Sequence, residues 1–424
     1  MENAERGIGF APAVSEPATA PSLARVARGN TCAGCGACAA IAAGKVRMAV
    51  AVPGYLRPVQ SAPLSRAEDE AIQRVCPGLG QMVEAGDRTD DVLFGPYVSM
   101  RTAWATDDGI RHAGASGGGL SAMLLHLVQS GAVDAVIETT ASADLAIGNA
   151  TVVTAGRDGI LGAAGSRYAP SAPLENLQDR LAEHEATGRR FAFVGKPCDA
   201  AAMAALRAAD PKVAAAVPVI LSFFCAGVPS HAGGRAVLKA LEAEEARVRS
   251  FRYRGNGWPG RATATLDDGT ERSMTYHESW GKILSRHVQH RCKICPDGTG
   301  VMADIVCADA WESDEGGYPV FEEQPGISLM VARTALGERL VRDAEAAGRI
   351  GTAPFDVGTL PAIQPGQRER RRALAARLLA LRVAGRPVPR YQGLRILAAA
   401  RQNSAQRNMK NFLGMIRRSL KRRP

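Results

Sequence analysis

The chain has 424 residues, of which 46% are hydrophobic and 22% charged, and its formal net charge is +10. These proportions exclude a disordered or fibrous protein, and the length allows a sizeable core divided between two or three domains. The longest apolar run, residues 217–228, is far shorter than the roughly 20 residues that a bilayer-spanning helix needs, so we expect no transmembrane segment.

The cysteine content points to reduced, functional thiols. The first residues contain no basic stretch leading into an apolar one, so we expect no secretory signal and predict a cytoplasmic protein. Thiols stay reduced in that compartment, where grouped cysteines indicate metal binding or catalysis rather than disulfides. The chain has nine cysteines, most of them in groups.

The first part of the chain divides into an arm and a cysteine-rich segment. Residues 1–30 are rich in Ala, Pro and Ser without clear periodicity, which predicts a mobile, disordered arm. Residues 31–96 combine short apolar pieces with several Pro and Gly. This composition is typical of a small ferredoxin-like segment held together by a metal centre.

That segment carries a specific cysteine motif. Cys32, Cys35 and Cys38 form C-x2-C-x2-C, and Cys76 follows as part of a Cys-Pro pair. In bacterial ferredoxins, three close cysteines and a distant Cys-Pro cysteine ligate iron–sulfur clusters. A structural zinc site is the alternative. Because zinc more often takes two C-x2-C pairs, the spacing favours a 4Fe-4S cluster.

Residues 97–360 alternate between helical and strand patterns. This alternation predicts an α/β fold with a parallel or mixed central sheet. Residues 248–276 instead predict an antiparallel, hairpin-like element around an Asp-Gly turn. The predicted helices cover residues 120–129, 174–186 and 200–209, and the predicted strands cover residues 133–137, 191–194 and 217–224.

A second set of cysteines is dispersed in this part of the chain. Cys198 comes shortly after one predicted strand, and Cys225 lies just after another. If both strands belong to one sheet, their carboxyl ends share an edge, where open α/β sheets place ligand sites, and the pair Cys292 and Cys295 would close such a site. As separate residues, Cys198 and Cys225 would more often be small core residues. Cys307 lies in an apolar run and is predicted to be a buried, inert thiol.

A glycine-rich segment at residues 114–120 precedes a predicted helix. Consecutive glycines expose backbone N–H groups at the helix N-terminus, where the helix dipole also favours an anion such as a pyrophosphate. A helix entry with Ser116 as the N-cap explains the same pattern equally well.

Two further segments have the composition of ligand loops. Residues 165–170 put a hydroxyl, a cation and an aromatic ring in one turn, which suits phosphate contact and ring stacking, although an ordinary turn explains them equally well. Residues 254–260 join three glycines, a proline and a tryptophan. A loop that costly to order often lies against a ligand, and a hairpin connection is the alternative.

The positive charge is concentrated at the end of the chain, in a predicted basic helical tail at residues 361–424. From Pro365 onward there are fifteen Arg, two Lys and one Glu, a net charge of +16, which leaves −6 for the preceding residues. The pattern favours one or two amphipathic helices that pack on the body. Contact with an acidic partner protein, an anionic membrane surface or RNA is the alternative, but no specific nucleic acid is expected.

Together these motifs resemble the family of the coenzyme F420 hydrogenase/dehydrogenase beta subunit, which also includes plant hydroxymethyl chlorophyll reductase and a ferredoxin-dependent divinyl chlorophyllide reductase. The resemblance spans residues 31–311 in the order of the family. It rests on the stretches TCAGCGAC, VCPG, GASGGGLSAMLLHLVQSGAVDAVI, GSRYAP, FVGKPCDAAAMAAL, FFCAGVPS, RGNGWPG and RCKICPDGTGVMADIVCADAW.

The resemblance implies FAD as the bound flavin and two 4Fe-4S clusters. It assigns Cys32, Cys35, Cys38 and Cys76 to one cluster and Cys198, Cys225, Cys292 and Cys295 to the other. The residues predicted to contact the flavin are Ser116, Gly117, Gly118, Gly119, Ser166, Arg167, Tyr168, Asn256 and Trp258.

These parts predict an oxidoreductase that passes electrons between a ferredoxin, or another electron-transfer protein, and a two-electron organic acceptor that the residues do not identify. His277 is the candidate general acid, with a structural surface histidine as the alternative. The sequence leaves open whether the chain forms a homo-oligomer. The two competing functions are an electron-input beta subunit of a larger hydrogenase/dehydrogenase complex that uses a deazaflavin, and a zinc-stabilised protein that binds nucleic acid or a partner.

Overall fold

The computed structural model describes residues 19–310 and 325–421. The strands of these residues are β1 (Val46–Ala51), β2 (Tyr55–Gln60), β3 (Gly80–Met82), β4 (Thr89–Asp91), β5 (Gly95–Tyr97), β6 (Ser99–Ala105), β7 (Ala135–Ala141), β8 (Asn149–Thr154), β9 (Phe191–Gly195), β10 (Val219–Phe223), β11 (Val248–Arg252), β12 (Arg261–Leu266), β13 (Glu271–Thr275), β14 (Ile305–Asp309), β15 (Ser328–Ala332), β16 (Ile350–Pro354) and β17 (Arg390–Gln392).

The helices surround the strands on both faces and at the end of the chain. They are α1 (Pro21–Gly29), α2 (Ala37–Ile41), α3 (Arg66–Val75), α4 (Asp108–Ala113), α5 (Gly119–Gln129), α6 (Arg157–Gly162), α7 (Leu177–Thr187), α8 (Pro197–Ala209), α9 (Pro211–Ala216), α10 (His231–Ala240), α11 (His290–Lys293), α12 (Ala335–Ala346), α13 (Leu360–Ile363), α14 (Pro365–Val383), α15 (Ile396–Arg401) and α16 (Ala405–Lys421). In the described part of the chain, none of these helices combines the length and the apolar character that crossing a bilayer needs.

A mixed sheet of eight strands forms the centre of the molecule, in the order β16-β6-β15-β14-β10-β9-β7-β8. The four strands β14, β10, β9 and β7 are parallel, and the strands on either side of them pair antiparallel. The parallel strands are apolar on both faces because helices cover both sides. The prediction of a mixed central sheet in an α/β fold is therefore confirmed.

The strand β9 shows how the two faces are filled. Phe191 and Phe193 point into one hydrophobic cluster with residues of α8, such as Met203. Ala192 and Val194 alternate with them and point into a second cluster on the opposite face, with residues of α5. This period of two is the geometry of an extended chain, and it places the end of β9 at an edge between two buried layers.

The predicted hairpin-like element is a three-stranded antiparallel sheet, β11-β12-β13. Its inner face packs on α10 in a hydrophobic cluster of its own that includes Phe251, Tyr253 and Leu238. It forms a sheet separate from the central one, and an isolated bridge joins Arg254, just after β11, to Ser166.

The prediction of a mobile arm over residues 1–30 is wrong for Pro21–Gly29, which form α1. Proline occupies the first turn of this helix, where its missing N–H is not needed. Leu23 and Val26 are buried, and Leu23 packs with Ile72 of α3. Two apolar residues three positions apart in an Ala-rich stretch gave too short a pattern to predict a helix. Residues 1–18 lie outside the described residues.

The basic tail forms helices that pack on the body, but these are the three helices α14, α15 and α16, where one or two were predicted. Leu374 and Leu381 of α14 and Met415 of α16 form a hydrophobic cluster with Ile294. The short strand β17 pairs in parallel with β3 of the cysteine-rich segment. The tail is thus connected to both regions that hold cysteines.

Candidate functional site

The first group of cysteines lies at the ends of two helices around one enclosed cavity. Cys32 and Cys35 precede α2, Cys38 lies in its first turn, and Cys76 follows the last residue of α3. All four line a small cavity whose other walls are mainly apolar. The structure therefore brings together the four residues that the ferredoxin-like motif selects.

The electrostatics of this group show that its thiols face one another. Burial raises the pKa of the Cys76 thiol to about 11, and the neighbouring Cys32 adds to this rise. Burial and then Cys32 and Cys76 raise the pKa of Cys38 in the same way. Four thiols that oppose each other's ionisation need a cationic centre among them before they can all be thiolates.

The backbone around this cavity adopts conformations that favour glycine. Gly34 and Gly36 have φ angles of +84° and +88°. A Cβ atom on Gly36 would lie 2.6 Å from the backbone nitrogen of Glu175, so only glycine fits there. The backbone N–H groups of Gly34 and Gly78 donate to Cys32 and Cys76 and lower the pKa of these thiols. Such N–H donors to cysteine sulfur tune the potential of iron–sulfur centres.

The second group is assembled from two strand ends and one helix. Strands β9 and β10 are parallel neighbours, so Cys198 at the start of α8 and Cys225 after β10 share the carboxyl edge of the sheet, as assumed. Cys292 lies in α11 and Cys295 follows it. Burial raises the pKa of Cys225 to about 12, with Cys292 and Cys295 contributing to the rise. The backbone N–H of Val228 donates to the Cys292 sulfur at 3.4 Å.

Buried or half-buried arginines surround both groups. Arg291 is 2% exposed and is close enough to act on thiols of both groups, including Cys32 and Cys198. Its guanidinium donates to the carbonyl of Pro77 at 2.9 Å, directly beside Cys76. Arg57 lowers the pKa of Cys32. These cations offset the negative charge that several thiolates would bring into the interior.

Residues of the basic tail cover the backbone of the second group. Arg370 donates to the carbonyls of Cys225 and Ala226 at 2.9 and 2.8 Å, and Gln367 donates to the Cys225 carbonyl at 3.1 Å. Three further carbonyls of the segments around these cysteines accept hydrogen bonds from side chains of the tail. Arg371 donates to the carbonyl of Pro296, Arg377 to that of Lys293, and the Tyr391 hydroxyl to that of Ile294.

The chemistry of the two donor sets fits iron–sulfur clusters, which are held by cysteine thiolates. In residues 19–310 and 325–421, no three His, Cys, Asp or Glu side chains form a group that could hold one metal ion. The thiols of the first group nevertheless line one cavity, and in each group neighbouring thiols raise one another's pKa. Four cysteine thiols are the ligand set that a 4Fe-4S cluster takes, so each group could hold one such cluster.

A larger cavity at the carboxyl edge of the sheet joins the predicted flavin segments. Ser116, Gly118 and Gly119 line it from one side, and Ser166 and Tyr168 line it from the other. The two segments, about 50 residues apart in the sequence, thus form walls of one cavity. Cys225 of the second cysteine group is part of the same wall.

The glycine-rich segment is built for close backbone approach. Gly118 is the N-cap of α5, so the alternative interpretation of Ser116 as the N-cap is wrong. The Ser116 hydroxyl instead bonds the carbonyls of Ala308 and Ile327, both at 3.2 Å. Gly118 has a φ of +69°, and Gly117 lies against the backbone of Gly326 rather than in the cavity wall.

Three polar clusters of the cavity wall were not predicted. The Lys196 ammonium forms a buried ion pair with Asp199 at 2.7 Å and donates to the Ser171 hydroxyl at 2.5 Å. Lys196 and Asp199 lie directly beside Cys198 in the sequence. A lysine and an aspartate three positions apart at the start of a helix are the sequence signal that could have indicated this ion pair.

The other two polar features are an arginine–aspartate pair and the single carboxyl of Glu138. Arg254 binds the Asp309 carboxylate through two hydrogen bonds of 2.8 and 2.7 Å, beside the ring of Tyr276. Glu138 is 5% exposed, and burial raises its pKa to about 7 although a hydrogen bond from Thr154 opposes the rise. A carboxyl that titrates near neutrality can hold or release a proton in this cavity.

Arg167 also lines this cavity, whereas the predicted contacts Asn256 and Trp258 do not. The Arg167 guanidinium donates to the side-chain oxygen of Asn149 and to the carbonyls of Phe251 and Gly148. Asn256 is exposed, and Trp258 lines a separate cleft.

The general-acid candidate and the ninth cysteine also have clear positions. His277 is exposed and does not line the cavity, which favours the structural alternative. Cys307 is buried on β14 at the cavity wall, and burial raises its pKa to about 12, so it is a neutral thiol as predicted.

Comparisons with known proteins agree on one family. Two family models of the coenzyme F420 hydrogenase/dehydrogenase beta subunit match the chain. The model for its C terminus matches residues 188–357 and the model for its N-terminal region matches residues 100–178, together more than half of the chain. The coenzyme F420 hydrogenase subunit beta of Methanococcus voltae is 24% identical over 282 residues, which cover 62% of this chain and 86% of that protein.

A solved structure supports the same fold. A chain of the F420-reducing [NiFe] hydrogenase complex from Methanosarcina barkeri, studied by xenon derivatization, superposes with a TM-score of 0.53 at 19% sequence identity. The match covers 69% of this chain and 96% of that chain. The basic tail from Pro365 onward lies beyond the residues that the family models match.

Proposed function

The chain belongs to the family of the coenzyme F420 hydrogenase/dehydrogenase beta subunit, and from this premise we propose that it is an FAD- and iron–sulfur-containing oxidoreductase subunit that exchanges electrons with a deazaflavin within a larger complex. The named relatives are subunits of hydrogenases, which favours this function over that of a reductase that turns over alone. A ferredoxin or another electron-transfer protein is the proposed partner, and the cytoplasm is the proposed compartment.

One observation supports the proposal above the others. Cys225 belongs to the second cysteine group and also to the wall of the cavity that the predicted flavin segments line. Arg291 in turn is near thiols of both cysteine groups. The three proposed cofactor sites are therefore contiguous in the order first cysteine group, second cysteine group, flavin cavity.

Each site has side chains suited to its proposed cofactor. When bound, iron–sulfur clusters supply single-electron transfer and the flavin supplies exchange of one or two electrons. The backbone N–H groups at the start of α5 can bind the phosphate groups of FAD. The proposed cluster ligands are Cys32, Cys35, Cys38 and Cys76 in the first group and Cys198, Cys225, Cys292 and Cys295 in the second.

Two residues of the cavity wall supply the remaining chemistry. Glu138, with a pKa of about 7, can hold or release the proton that accompanies a hydride. The Arg254–Asp309 pair fixes the loop around residues 254–260 against β14 and helps to keep water out of this side of the cavity. Both roles concern this chain alone and do not depend on which acceptor is used.

The test is the metal and flavin content of anaerobically purified protein. We expect a brown protein with flavin absorption and about eight iron atoms per chain. The variants Cys35→Ala and Cys198→Ala should each lose about half of the iron, because each removes one ligand of a different cluster. Cys307→Ser is the matched control and should keep all of it.

Other results would discriminate the competing functions. A colourless protein that contains zinc would overturn the proposal in favour of a zinc-stabilised binding protein. If the brown protein bleaches a dye with dithionite but does not oxidise reduced coenzyme F420, alone or with copurified subunits, the deazaflavin part of the proposal is wrong.

A further inference from the structure

The three helices of the basic tail enclose an apolar groove on the surface of the molecule. Its walls include Leu379 of α14, Leu397 of α15 and Met409 and Phe412 of α16. Leu379, Leu397 and Met409 are 54%, 68% and 57% exposed. Large apolar side chains exposed together in one concave surface indicate a binding site rather than scattered surface residues.

The rim of the groove is positively charged. Arg382 lines it, Arg401 follows the lining residue Ala400, and α14 and α16 carry further Arg or Lys residues. Glu369 is the single carboxylate side chain from Pro365 to the end of the chain. Within the described residues, neither Arg382 nor Arg401 forms an ion pair, so their charge is directed to solvent. An acidic occupant is the one that this rim would attract.

The floor of the groove touches the proposed electron path. Tyr391 lines the groove, and its hydroxyl donates to the carbonyl of Ile294, between Cys292 and Cys295. The guanidinium of Arg291 lies 5.8 Å from the centre of the Tyr391 ring. A molecule in the groove is thus separated from both cysteine groups by little more than these two side chains.

We propose that this groove docks an acidic, amphipathic helix of a small electron-transfer protein, which exchanges electrons with the two cysteine groups beneath Tyr391. The electron-transfer part of this inference rests on the proposed function, whereas the docking part rests on the groove itself. Apolar residues of the helix would contact Leu397 and Met409, and its carboxylates would meet Arg382 and Arg401.

The shape and charge of the groove favour this occupant over two others. A lipid bilayer would contact convex apolar surface more readily than a concave groove between three helices. A second copy of the chain would bring another net charge of +16 against the first, which opposes association through the tails.

Isothermal titration of the anaerobic full-length protein with an acidic bacterial ferredoxin tests the inference. We expect the double variant Arg382→Glu/Arg401→Glu and the single variant Leu397→Glu each to weaken binding at least tenfold. Arg249→Glu, a charge reversal on the exposed strand β11, is the matched control and should change Kd less than twofold. Affinity of the unaltered protein should fall as salt is added, and that of the double variant should fall less.

Unchanged affinity in the double variant would overturn the docking inference. The docking inference would also be overturned if the ferredoxin did not bind and the protein instead bound phosphatidylglycerol vesicles, with these substitutions abolishing the vesicle binding. Iron content and absorption are measured on every sample to separate this test from that of the proposed function. If the protein contains no iron but still binds the ferredoxin through the groove, the docking site is supported and the cluster assignment is refuted. If the protein contains iron but does not bind the ferredoxin, the cluster assignment is supported and the docking site is refuted.

Discussion

Arg291 is a single buried cation shared by two groups of thiols. Burial alone lowers the pKa of its guanidinium, but Tyr391 and the cysteines of the second group raise it, so the charge is retained. Its Nε atom is buried without a hydrogen-bond partner among the described residues, whereas its terminal nitrogens bond two carbonyls. The side chain therefore acts more through its charge than through a complete set of hydrogen bonds.

Removing this charge should make both proposed clusters harder to reduce. In the variant Arg291→Gln, we expect the midpoint potentials of both clusters to fall by on the order of 60 mV, equivalent to about 1.4 kcal/mol per electron. Potentiometric titration followed by electron paramagnetic resonance measures both values. Arg291→Lys keeps the charge and should shift them less. Equal potentials in the unaltered protein and in Arg291→Gln would contradict the shared-cation role.

The raised pKa of Glu138 should make the stability of the folded chain depend on pH. Its pKa is about 7 in the folded chain and 4.5 when unburied, so the folded state binds more protons between these values. Stability therefore falls as pH rises from about 4.5 to 7, by up to about 3 kcal/mol. Glu138→Gln removes this loss: its Tm should match that of the unaltered protein near pH 4.5 and exceed it at pH 8. A difference in Tm that is constant across this range would contradict the assignment.

At this scale, the sequence predicted residues with distinctive types and spacing and missed those defined by burial. The motif of Cys32, Cys35, Cys38 and Cys76 is local enough to be recognised from its spacing. The pKa of Glu138 or of Arg291 depends on which distant residues surround the side chain. Nothing in the neighbouring residues specifies those surroundings, because they are created by packing.

Among the elements, strands β9 and β10 decide the position of the second cysteine group. Both were predicted from short apolar runs, and the common edge that follows from parallel pairing was correct. The antiparallel neighbours β15, β6 and β16 were not predicted. Their pairing joins residues more than 200 positions apart in the case of β15 and β6, and a strand pattern does not identify its partner.

The start of α5 predicts a difference between two glycine substitutions. Gly118 and Gly131 both have positive φ. A Cβ atom on Gly118 would lie 2.5 Å from the Ile110 oxygen, whereas a Cβ atom on Gly131 would have no neighbouring atom within 4 Å. Gly131→Ala should cost about 1–2 kcal/mol for its backbone alone. Gly118→Ala should cost about 1–3 kcal/mol more. It should also lose flavin on desalting, because the segment lines the cavity.

Thermal unfolding and flavin absorbance after gel filtration measure these two effects. The Gly131→Ala variant serves as the control, since it changes the same backbone conformation at the other end of the same helix. Equal flavin retention in both variants would show that the segment around Gly118 does not contact the cofactor.

For the whole molecule, the separation of charge along the chain has a structural consequence. The body carries −6 and the tail from Pro365 carries +16. Part of that positive charge is directed inward: Arg370, Arg371 and Arg377 donate to carbonyls of the segments that hold Cys225, Cys292 and Cys295. The tail resembled a surface feature in the sequence because its carbonyl partners lie some 75 to 145 residues earlier in the chain.

Two truncations test this closing role. A chain that ends at Gln364 loses every tail donor to the second cysteine group, so its iron content should fall by at least half. A chain that ends at Ser404 loses α16 but keeps Gln367, Arg370, Arg371, Arg377 and Tyr391, and it should retain the iron while losing the wall of the groove formed by Met409 and Phe412. Iron analysis, with circular dichroism to confirm that both chains are folded, distinguishes them. Full iron content in the folded shorter chain would mean that the body alone encloses both cysteine groups and that the tail serves only the surface.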